Sequence, residues 1–583
     1  MMTAETGKGL AAAVLLGATL GSGAAATAQE PEVLTYTEST GRLALGYPVP
    51  MPVDSLTPVD GFRSFASLQA RHLDLAFSSD RIEVVVIGRS LEGRPILAYR
   101  FGDRNKRTVG GLREPAMLIN GTIHAREWQS PEVTTEIFER LALNDDDDGL
   151  FEYLSDNTNI VIIPVLNPDG FLQTQRWADQ VVLGGDPNSP GSPRDGRQRR
   201  KNKLDADDDL FTLVDHLFGV DLNRNFPVGF GGGSPVPESI VYHGPLPLSE
   251  VESQALVAAV DLGPASRLRS FVDYHSFTKL FFIPNTGNAR RDAITESLSV
   301  KAQSTLASFG SDYALIPLAV GDVIGATDEF FAETYQVPSW TFEIEPDGNG
   351  GLNYGGLGAP NDGFMLPESE IARVRDEIAQ QQVMLFYHQA GPPSIAAARV
   401  VDRTTGQTVY RARWKLKRFG NRRVLRVSAN RRLRANRPYT LWVAFDKPMR
   451  VRRAGAVVPY PGLVQPNLPQ LELSAEGQSV VFDSLTWLDE AGAAPDGYRR
   501  YADDAFAADF TLPAGLAGTP LNLSVTVADF AQQQLDANPR TPVDWVDGAW
   551  SGYEDETGAE GDVGGTDSTL VIGRKSRFAY GGR

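Results

Sequence analysis

The sequence predicts a three-layer α/β/α domain with a mixed, mainly parallel sheet, followed by an all-β sandwich. Between about residues 55 and 392, apolar runs of strand length alternate with longer amphipathic segments, as in strands joined by crossover helices. From about residue 400 onward, apolar and polar residues alternate in short runs between Gly, Pro and Asn turns, which is typical of a sandwich. A chain of 583 residues is also too long for one ordinary core, so at least two domains are expected.

The N-terminus has the layout of a secretory signal peptide. Lys8 precedes an apolar run from Leu10 to Leu20, and small residues follow, ending in Ala26-Thr27-Ala28. We interpret residues 1–28 as the signal peptide and residues 29–54 as a short N-terminal extension; the alternative is a hydrophobic core helix. No later segment approaches the roughly 20 apolar residues of a membrane span. The protein is therefore expected to be secreted or periplasmic.

The strands of the first domain are predicted from its apolar runs, and a helix from about Glu370 to His388 closes it. The runs are "IEVVVIG", "AMLING", "NIVIIPVLN", "RSFVDYHSF", "LFFIP" and "SWTFEIE". The second domain, a sandwich over about 400–545, contains runs such as "YTLWVAF" and "LNLSVTVADF". The final segment, 546–583, is acidic and rich in Gly, so a flexible tail is expected there.

Charge and cysteine content narrow the function. The formal net charge of −18 argues against binding to nucleic acid phosphates or anionic membranes, because such a surface repels both. The chain has no cysteine, so no disulfides form and any metal must be held by His, Asp and Glu.

One segment of this acidic chain is strongly basic. Twelve Lys and Arg residues lie between Arg411 and Arg437. They could form a patch for an anionic polymer or cell wall. The alternative is the solvated face of a hairpin, and the alternation of charged and apolar residues in "VYRARWKLKRF" favours that interpretation.

A candidate metal site begins in "TIHAREW", directly after an apolar run. His124 and Glu127 leave the end of a predicted strand and could both reach one ion, although such a spacing often arises by chance. Catalytic zinc takes three protein ligands and a water molecule, so a third ligand must come from elsewhere. His275 is the best candidate, because it ends another strand and open α/β sheets collect their sites at the carboxyl ends of strands. The remaining histidines resemble ordinary packing or loop residues.

Six motifs in this order and approximate spacing resemble the zinc metallocarboxypeptidases of the carboxypeptidase A/B type. They are "IHAREW", "NPDGF", "GVDLNRNF", "YHGPLPLSE", "YHSF" and "TFEIE", and the resemblance covers about residues 55–392. It implies that His124, Glu127 and His275 bind one Zn²⁺. It also implies that Glu343 is the catalytic glutamate and that Arg200 stabilises the oxyanion.

The resemblance further implies how a peptide would be recognised. Asn223 and Arg224 match the residues that hold the free C-terminal carboxylate, for which a guanidinium is suited. Arg126 matches a further subsite arginine. Asp221 resembles the carboxylate that accepts a hydrogen bond from the first zinc histidine.

The sequence departs from the family pattern in the loop before Glu343. The family usually has a tyrosine there, whereas this chain reads "LAVGDVIGATDEFF", flanked at a distance by Tyr313 and Tyr335. Substrate closure and strict C-terminal preference are therefore in question. Counting back from Glu343 places Asp328 at the floor of the side-chain pocket, which would favour Lys or Arg. A shift of one residue would place Thr327 there instead.

The length of the N-terminal extension and two runs of aspartate give further expectations about a pro-domain and about calcium binding. The short extension leaves no room for the globular pro-domain of digestive members. Aspartate runs at 144–149 and 205–209 could bind calcium, but neither has EF-hand spacing, so solvated loops are favoured.

The sequence thus predicts a secreted zinc carboxypeptidase with an immunoglobulin-like second domain. Its partners would be peptide or protein C-termini, with no nucleic acid, and the β-domain could contact a cell surface or cell wall. The alternatives are a muropeptide peptidase of the same fold and a noncatalytic peptide-binding homologue.

Overall fold

A computed structural model of the chain describes residues 53–143, 148–176, 196–204, 218–321, 325–347, 364, 366–416, 423–464, 468–488, 501–536, 543–551 and 570–573. Its N-terminal region combines eight strands with helices. The strands are β1 (Ile82–Arg89), β2 (Pro95–Phe101), β3 (Ala116–Gly121), β4 (Asn159–Ile163), β5 (Leu268–Ser276), β6 (Leu280–Asn285), β7 (Ala314–Ala319) and β8 (Ser339–Ile344). The helices are α1 (Phe65–Phe77), α2 (Gln129–Leu143), α3 (Asp148–Asn157), α4 (Pro168–Arg176), α5 (Val251–Ala259), α6 (Ala289–Ala307), α7 (Thr327–Thr334) and α8 (Glu368–Gln389).

The eight strands form one mixed sheet in the order β1-β2-β4-β3-β5-β8-β6-β7. Its centre is parallel, since β3 pairs in parallel with β4 and β5, and β5 with β8. The β1/β2, β2/β4 and β6/β8 pairs are antiparallel. The carboxyl ends of β3, β5 and β8 therefore lie side by side, and this edge holds the candidate site.

Helices cover both faces of the sheet because buried strands alternate their side chains between two cores. Met117 and Ile119 of β3 face a core that includes residues of α1, α2, α6 and α8. Leu118, between them, faces a second core with residues of α5 and α7. The predicted α/β domain with a mixed, mainly parallel sheet is thereby confirmed.

All six predicted apolar runs lie in or begin strands, but β2 and β7 were not predicted. In β2 the buried Arg100 interrupts the apolar run, and its guanidinium is satisfied by Asn159 and the carbonyl of Asp103. In β7 Pro317 argues against a central strand, and β7 is indeed an edge strand that pairs with β6. The closing helix α8 extends slightly beyond the predicted range, from Glu368 to Gln389.

The C-terminal region is all-β. Its strands are β9 (Ile395–Asp402), β10 (Gln407–Leu416), β11 (Arg423–Asn430), β12 (Pro438–Phe445), β13 (Val451–Arg453), β14 (Ala456–Val458), β15 (Gln470–Ala475), β16 (Gln478–Ser479), β17 (Phe482–Leu488), β18 (Ala505–Thr511), β19 (Leu521–Thr526), β20 (Asp544–Val546), β21 (Ala549–Ser551) and β22 (Leu570–Ile572). A six-stranded sheet has the order β11-β10-β9-β12-β18-β17, and a four-stranded sheet has the order β16-β15-β19-β22. Side chains from both sheets share one hydrophobic core. Two-stranded ribbons β13-β14 and β20-β21 complete the region.

The all-β region packs tightly against the back of α8. The ring of Phe530 stacks on Tyr387 with centroids 4.0 Å apart. Lys447 is buried there, with its Nζ 2.9 Å from Oδ2 of Asp529 and 3.6 Å from the centre of the Tyr387 ring. A buried ammonium needs such partners to remain charged. The two regions therefore share an interior.

Several sequence-based expectations fall outside the described residues. These are the signal peptide, most of the 29–54 extension, the aspartate runs at 144–147 and 205–209, and residues 552–569 and 574–583 of the expected tail. Within that tail, β21 and β22 form strands, and β22 pairs with β19. In the described part of the chain, no helix combines the length and apolar character required to cross a membrane.

Candidate metal centre

The turn between β3 and α2 positions the first two candidate ligands. Thr122 has a positive φ of 60°, its N–H donates to Oγ of Ser130 and its hydroxyl donates to the carbonyl of Pro164. Gly121 precedes it where a Cβ would lie 2.9 Å from the Ser130 carbonyl oxygen, so a side chain does not fit. The chain therefore turns sharply and directs the side chains of His124 and Glu127 inward.

His124, Glu127 and His275 converge at the carboxyl edge of the sheet, and all three are buried. Nδ1 of His124 lies 2.8 Å from Oε1 of Glu127 and 3.0 Å from Nδ1 of His275. Nδ1 of His275 lies 3.1 Å from Oε2 of Glu127. Burial alone would raise the pKa of Glu127, but the two histidines bring it well below its ordinary value.

The other nitrogen of each ring faces a carboxylate. Nε2 of His124 lies 3.1 Å from Oδ1 of Asp221. Nε2 of His275 lies 3.0 Å from Oδ2 of Asp273, at ion-pair distance although its N–H is not directed along a hydrogen bond. A ring whose Nε2 proton faces a carboxylate presents the Nδ1 lone pair on its other side.

The residues present fit a zinc ion. Two Nδ1 lone pairs and a carboxylate point at one another, an arrangement that repels unless a cation or a proton lies between them. Two imidazoles and one carboxylate are a known ligand set of catalytic zinc. The three donor atoms lie within 4.8 Å of one another, close enough to share one ion.

Glu343 stands next to this group. It is the register partner of His275 in the β5/β8 pair, and its Oε2 is buried without a hydrogen-bond partner in the described part of the chain. Burial raises the pKa of Glu343 to about 7, against the opposing effect of His275. Strand alternation explains the placement, because Phe342 and Ile344 point into the core on the other side.

Arg200 is held against the metal site by Asp221. Its Nε donates to Oδ2 of Asp221 at 2.9 Å, and its Nη1 lies 3.9 Å from Oε1 of Glu127. The carbonyl of Arg200 also accepts from the N–H of Ala125, which ties this segment to the His124 turn. Burial would lower the pKa of Arg200, but Asp221 and Glu127 raise it.

The residues assigned to the peptide carboxylate lie in a short turn after Asp221. The side chain of Asp221 accepts from the N–H of Asn223, which starts that turn. Oδ1 of Asn223 accepts from the N–H of Thr327 at 2.9 Å, which leaves the amide NH₂ as a donor. Arg224 donates to the carbonyl of Asn223, and burial lowers the pKa of its guanidinium.

Arg126 and Asp328 occupy different positions around the site. The guanidinium of Arg126 lies 4.2 Å from the centre of the Phe364 ring. Asp328 lies in the first turn of α7, is buried, and its Oδ1 has no hydrogen-bond partner among the described residues. Burial raises the pKa of Asp328 to about 6.

Neither tyrosine that flanks the departing loop substitutes for the family's tyrosine. Tyr313 is buried and stacks on Phe342 with centroids 5.1 Å apart. Tyr335 stacks on Phe331 at 5.2 Å. Tyr313 belongs to the core on one face of the sheet, and Tyr335 packs against the core on the other face.

The sequence did not point to Asp273 as a site residue. It lies two positions before His275 in β5, where strand alternation places both side chains on the same face. The two-residue spacing between Asp273 and His275 could have identified Asp273 from the sequence. A carboxylate two residues before a candidate ligand histidine on a strand is a candidate partner for its ring.

A three-ligand metal group at the carboxyl edge of a mixed α/β sheet, beside the carboxylate of Glu343 and the guanidinium of Arg200, is an arrangement typical of metal-dependent hydrolases. The comparisons with known proteins give the particular family. The model of the zinc carboxypeptidase family matches residues 73–380, and the chain belongs to this family. The all-β region lies outside the matched residues.

Named relatives agree with this family. Carboxypeptidase A1 of Sus scrofa is 28% identical over 315 residues, which are 53% of this chain and 65% of that protein. Carboxypeptidase B of Astacus astacus is 27% identical over 301 residues, 50% of this chain and 84% of that protein. The chain thus spans less than two thirds of the porcine relative's length. The solved structure of carboxypeptidase A from Helicoverpa armigera is 21% identical, with a TM-score of 0.45 covering 62% of this chain and 80% of its own.

Proposed function

We propose that the chain is a secreted or periplasmic carboxypeptidase that removes C-terminal residues from peptides. The observation that carries the proposal is the half-buried Glu343 carboxylate, whose buried Oε2 has no hydrogen-bond partner among the described residues and which lies beside His275 and the metal donors. Export is supported by the signal-peptide layout of residues 1–28.

The chain's own residues have distinct tasks in this proposal. When bound, zinc supplies an activated water molecule by lowering its pKa. Glu343 accepts a proton as general base and delivers it to the leaving amine, and a pKa of about 7 suits both directions of transfer. Arg200, fixed by Asp221, offers its guanidinium to the developing oxyanion.

Recognition of a free carboxylate is assigned to Asn223 and Arg224. The fixed amide of Asn223 presents N–H donors. Burial disfavours the charged form of the Arg224 guanidinium, and a bound carboxylate would stabilise that charge. Arg126 extends the positive surface toward the rest of the peptide. These assignments predict exopeptidase rather than internal cleavage.

We further propose that Asp328 selects a basic C-terminal side chain. The hydroxyl of Thr327 is occupied by Asp273, whereas Oδ1 of Asp328 has no partner within the described residues. A buried carboxylate in this state is stabilised by an incoming ammonium or guanidinium. The structure therefore favours Asp328 over Thr327 as the group that meets the substrate.

The experiment is digestion of a peptide library with varied C-terminal residues, followed by mass spectrometry. Wild-type protein should release single C-terminal residues, with Lys and Arg ahead of Phe and Leu. Asp328→Asn should lose the basic preference, by about 10- to 200-fold in kcat/KM ratio, as expected for about 1 to 3 kcal/mol of lost pairing. Glu333→Gln, a half-exposed carboxylate in the same helix, is the matched control and should keep it.

Four outcomes of this digestion, of a parallel muropeptide digestion and of a peptide-binding assay would contradict these proposals. Internal cleavage would exclude the carboxypeptidase, and cleavage of muropeptides alone would favour the cell-wall peptidase. Binding without cleavage would favour the noncatalytic homologue. An unchanged profile in Asp328→Asn would remove Asp328 from the pocket.

For the all-β region we propose an immunoglobulin-like sandwich that contacts an anionic polymer of the cell surface or wall. One outer face of its six-stranded sheet carries cations, and we call it the cationic face: Arg399, Arg411, Arg413, Lys415 and Arg426. In the register, Arg411 opposes Arg399 and Arg413 opposes Arg426. These pairs place the cationic side chains of three neighbouring strands on one face of the sheet, where they could contact an anionic polymer together. This shared face is the observation that supports the polymer-binding alternative.

Calorimetry with soluble polygalacturonate tests the cationic face. Wild-type protein should bind with an affinity that falls as salt rises. Arg413→Gln with Arg426→Gln should weaken binding. Arg431→Gln with Arg432→Gln, an equal charge change at exposed positions between β11 and β12, should not. Equal effects of both pairs, or no binding by the wild type, would contradict the proposal.

A further inference from the structure

Asp273 lies behind His275 in β5 and is completely buried. Its Oδ2 lies 3.0 Å from Nε2 of His275 and accepts from the hydroxyl of Thr327 at 2.7 Å. Its Oδ1 accepts from Nδ2 of Asn120, in the neighbouring strand β3, at 2.7 Å. Each oxygen of the Asp273 carboxylate therefore accepts one hydrogen bond from a neutral side chain.

Thr327 connects this carboxylate to the substrate side of the site. It is the first residue of α7, and its own N–H donates to Oδ1 of Asn223 at 2.9 Å. The next residue is Asp328. One buried threonine thus touches the carboxylate behind a metal ligand and the amide assigned to the peptide carboxylate.

The two carboxylates behind the histidines differ in their partners. Asp221 is paired with the guanidinium of Arg200 at 2.9 Å, which neutralises part of its charge. Asp273 receives hydrogen bonds from the neutral groups of Asn120 and Thr327, and no Lys or Arg of the described residues lies at ion-pair distance from it. Because both Asp273 and His275 are buried, Asp273 therefore exerts the stronger negative field on its histidine.

We propose that Asp273 is a positioning residue that fixes the ring of His275 for metal binding and, through Thr327, joins the metal centre to the start of α7. The ion-pair contact between His275 and Asp273 and the two hydrogen bonds of Thr327 then join the metal donors, the start of α7 and Asn223. Its role in substrate selection rests on the proposed function, whereas its role in metal binding does not.

The first test measures zinc affinity by competition with a chromophoric chelator, without any activity assay. Asp273→Asn keeps the shape of the side chain and removes its charge, so it should weaken zinc binding by about 10- to 100-fold. Thr327→Val should weaken it less, and Thr327→Ser should restore it. The double variant Asp273→Asn with Thr327→Val should lose little more than Asp273→Asn alone, because the threonine acts through the carboxylate.

The second test measures whether the contacts of Thr327 affect substrate binding. In zinc-saturated protein, Thr327→Val should raise KM for a peptide with a C-terminal Arg while kcat changes little, and Thr327→Ser should keep the wild-type KM. Far-ultraviolet circular dichroism of each variant checks folding. If Asp273→Asn does not fold, the comparison of Thr327→Val with Thr327→Ser tests the proposal instead.

Wild-type zinc affinity in both Asp273→Asn and Thr327→Val would overturn the positioning role. Additive losses in the double variant, or an unchanged KM in Thr327→Val, would overturn the connection to the pocket. If the wild-type protein bound zinc but cleaved no peptide, the proposed function would fail while the affinity test would still stand.

Discussion

Replacing Glu343 with Gln is expected to lower kcat by about 10²- to 10⁴-fold while zinc stays bound, because an amide cannot accept the proton of the attacking water. Gln has the same shape as Glu, and Glu343 contributes no atom to the group formed by His124, Glu127 and His275. KM should change little. The measurements are steady-state kinetics on a peptide with a C-terminal Arg and zinc content by plasma mass spectrometry.

The matched control is Glu345→Gln, two residues further along the chain. The Glu345 side chain is buried, and its Oε2 lies 3.0 Å from Nη2 of Arg373, so its carboxylate is structural. This variant should lose stability rather than kcat. Comparable kcat losses in the two variants would mean that a buried negative charge, rather than proton transfer, is what the site requires.

Removal of the metal is expected to abolish peptide cleavage and to lower the unfolding temperature. Without a cation, two imidazole nitrogens and a carboxylate are left facing one another inside the protein. Ligand linkage gives the size of the effect: free zinc at 1,000 times its Kd stabilises the folded state by about 4 kcal/mol. Thermal unfolding and activity should be measured before chelation, after chelation and after zinc is restored.

A ligand variant provides the control for this experiment. Glu127→Gln should unfold at the same temperature with and without chelator, because it has lost the anionic ligand. Full activity in the chelated wild-type protein, or an unfolding temperature that chelator does not change, would contradict the assignment of the metal centre.

The sequence was sufficient to predict which strands end at the candidate site. His124 and His275 each follow or end an apolar run, and parallel neighbours bring such ends to one edge of the sheet. The family resemblance then assigned roles to Glu343 and Arg200, and the structure places both side chains next to the metal donors. Local pattern was enough because each of these residues is fixed by the strand or turn that carries it.

Other features depend on contacts between distant segments, which the sequence pattern does not show. Thr327 is 54 positions from Asp273 and 104 positions from Asn223, and its two hydrogen bonds exist only once α7 packs against β5. The buried pair of Lys447 and Asp529 likewise depends on how the all-β region packs against α8. A sequence pattern identifies these residues as polar but does not indicate which partners will satisfy them.

The central claim is that one metal ion is held by Nδ1 of His124, Nδ1 of His275 and the carboxylate of Glu127. Anomalous diffraction at the zinc edge from crystals of the full chain tests it most directly. A single peak should lie at about 2.0 to 2.2 Å from these three atoms, with Nε2 of each ring turned toward Asp221 or Asp273. A peak bonded through Nε2, or one located away from these three side chains, would contradict it.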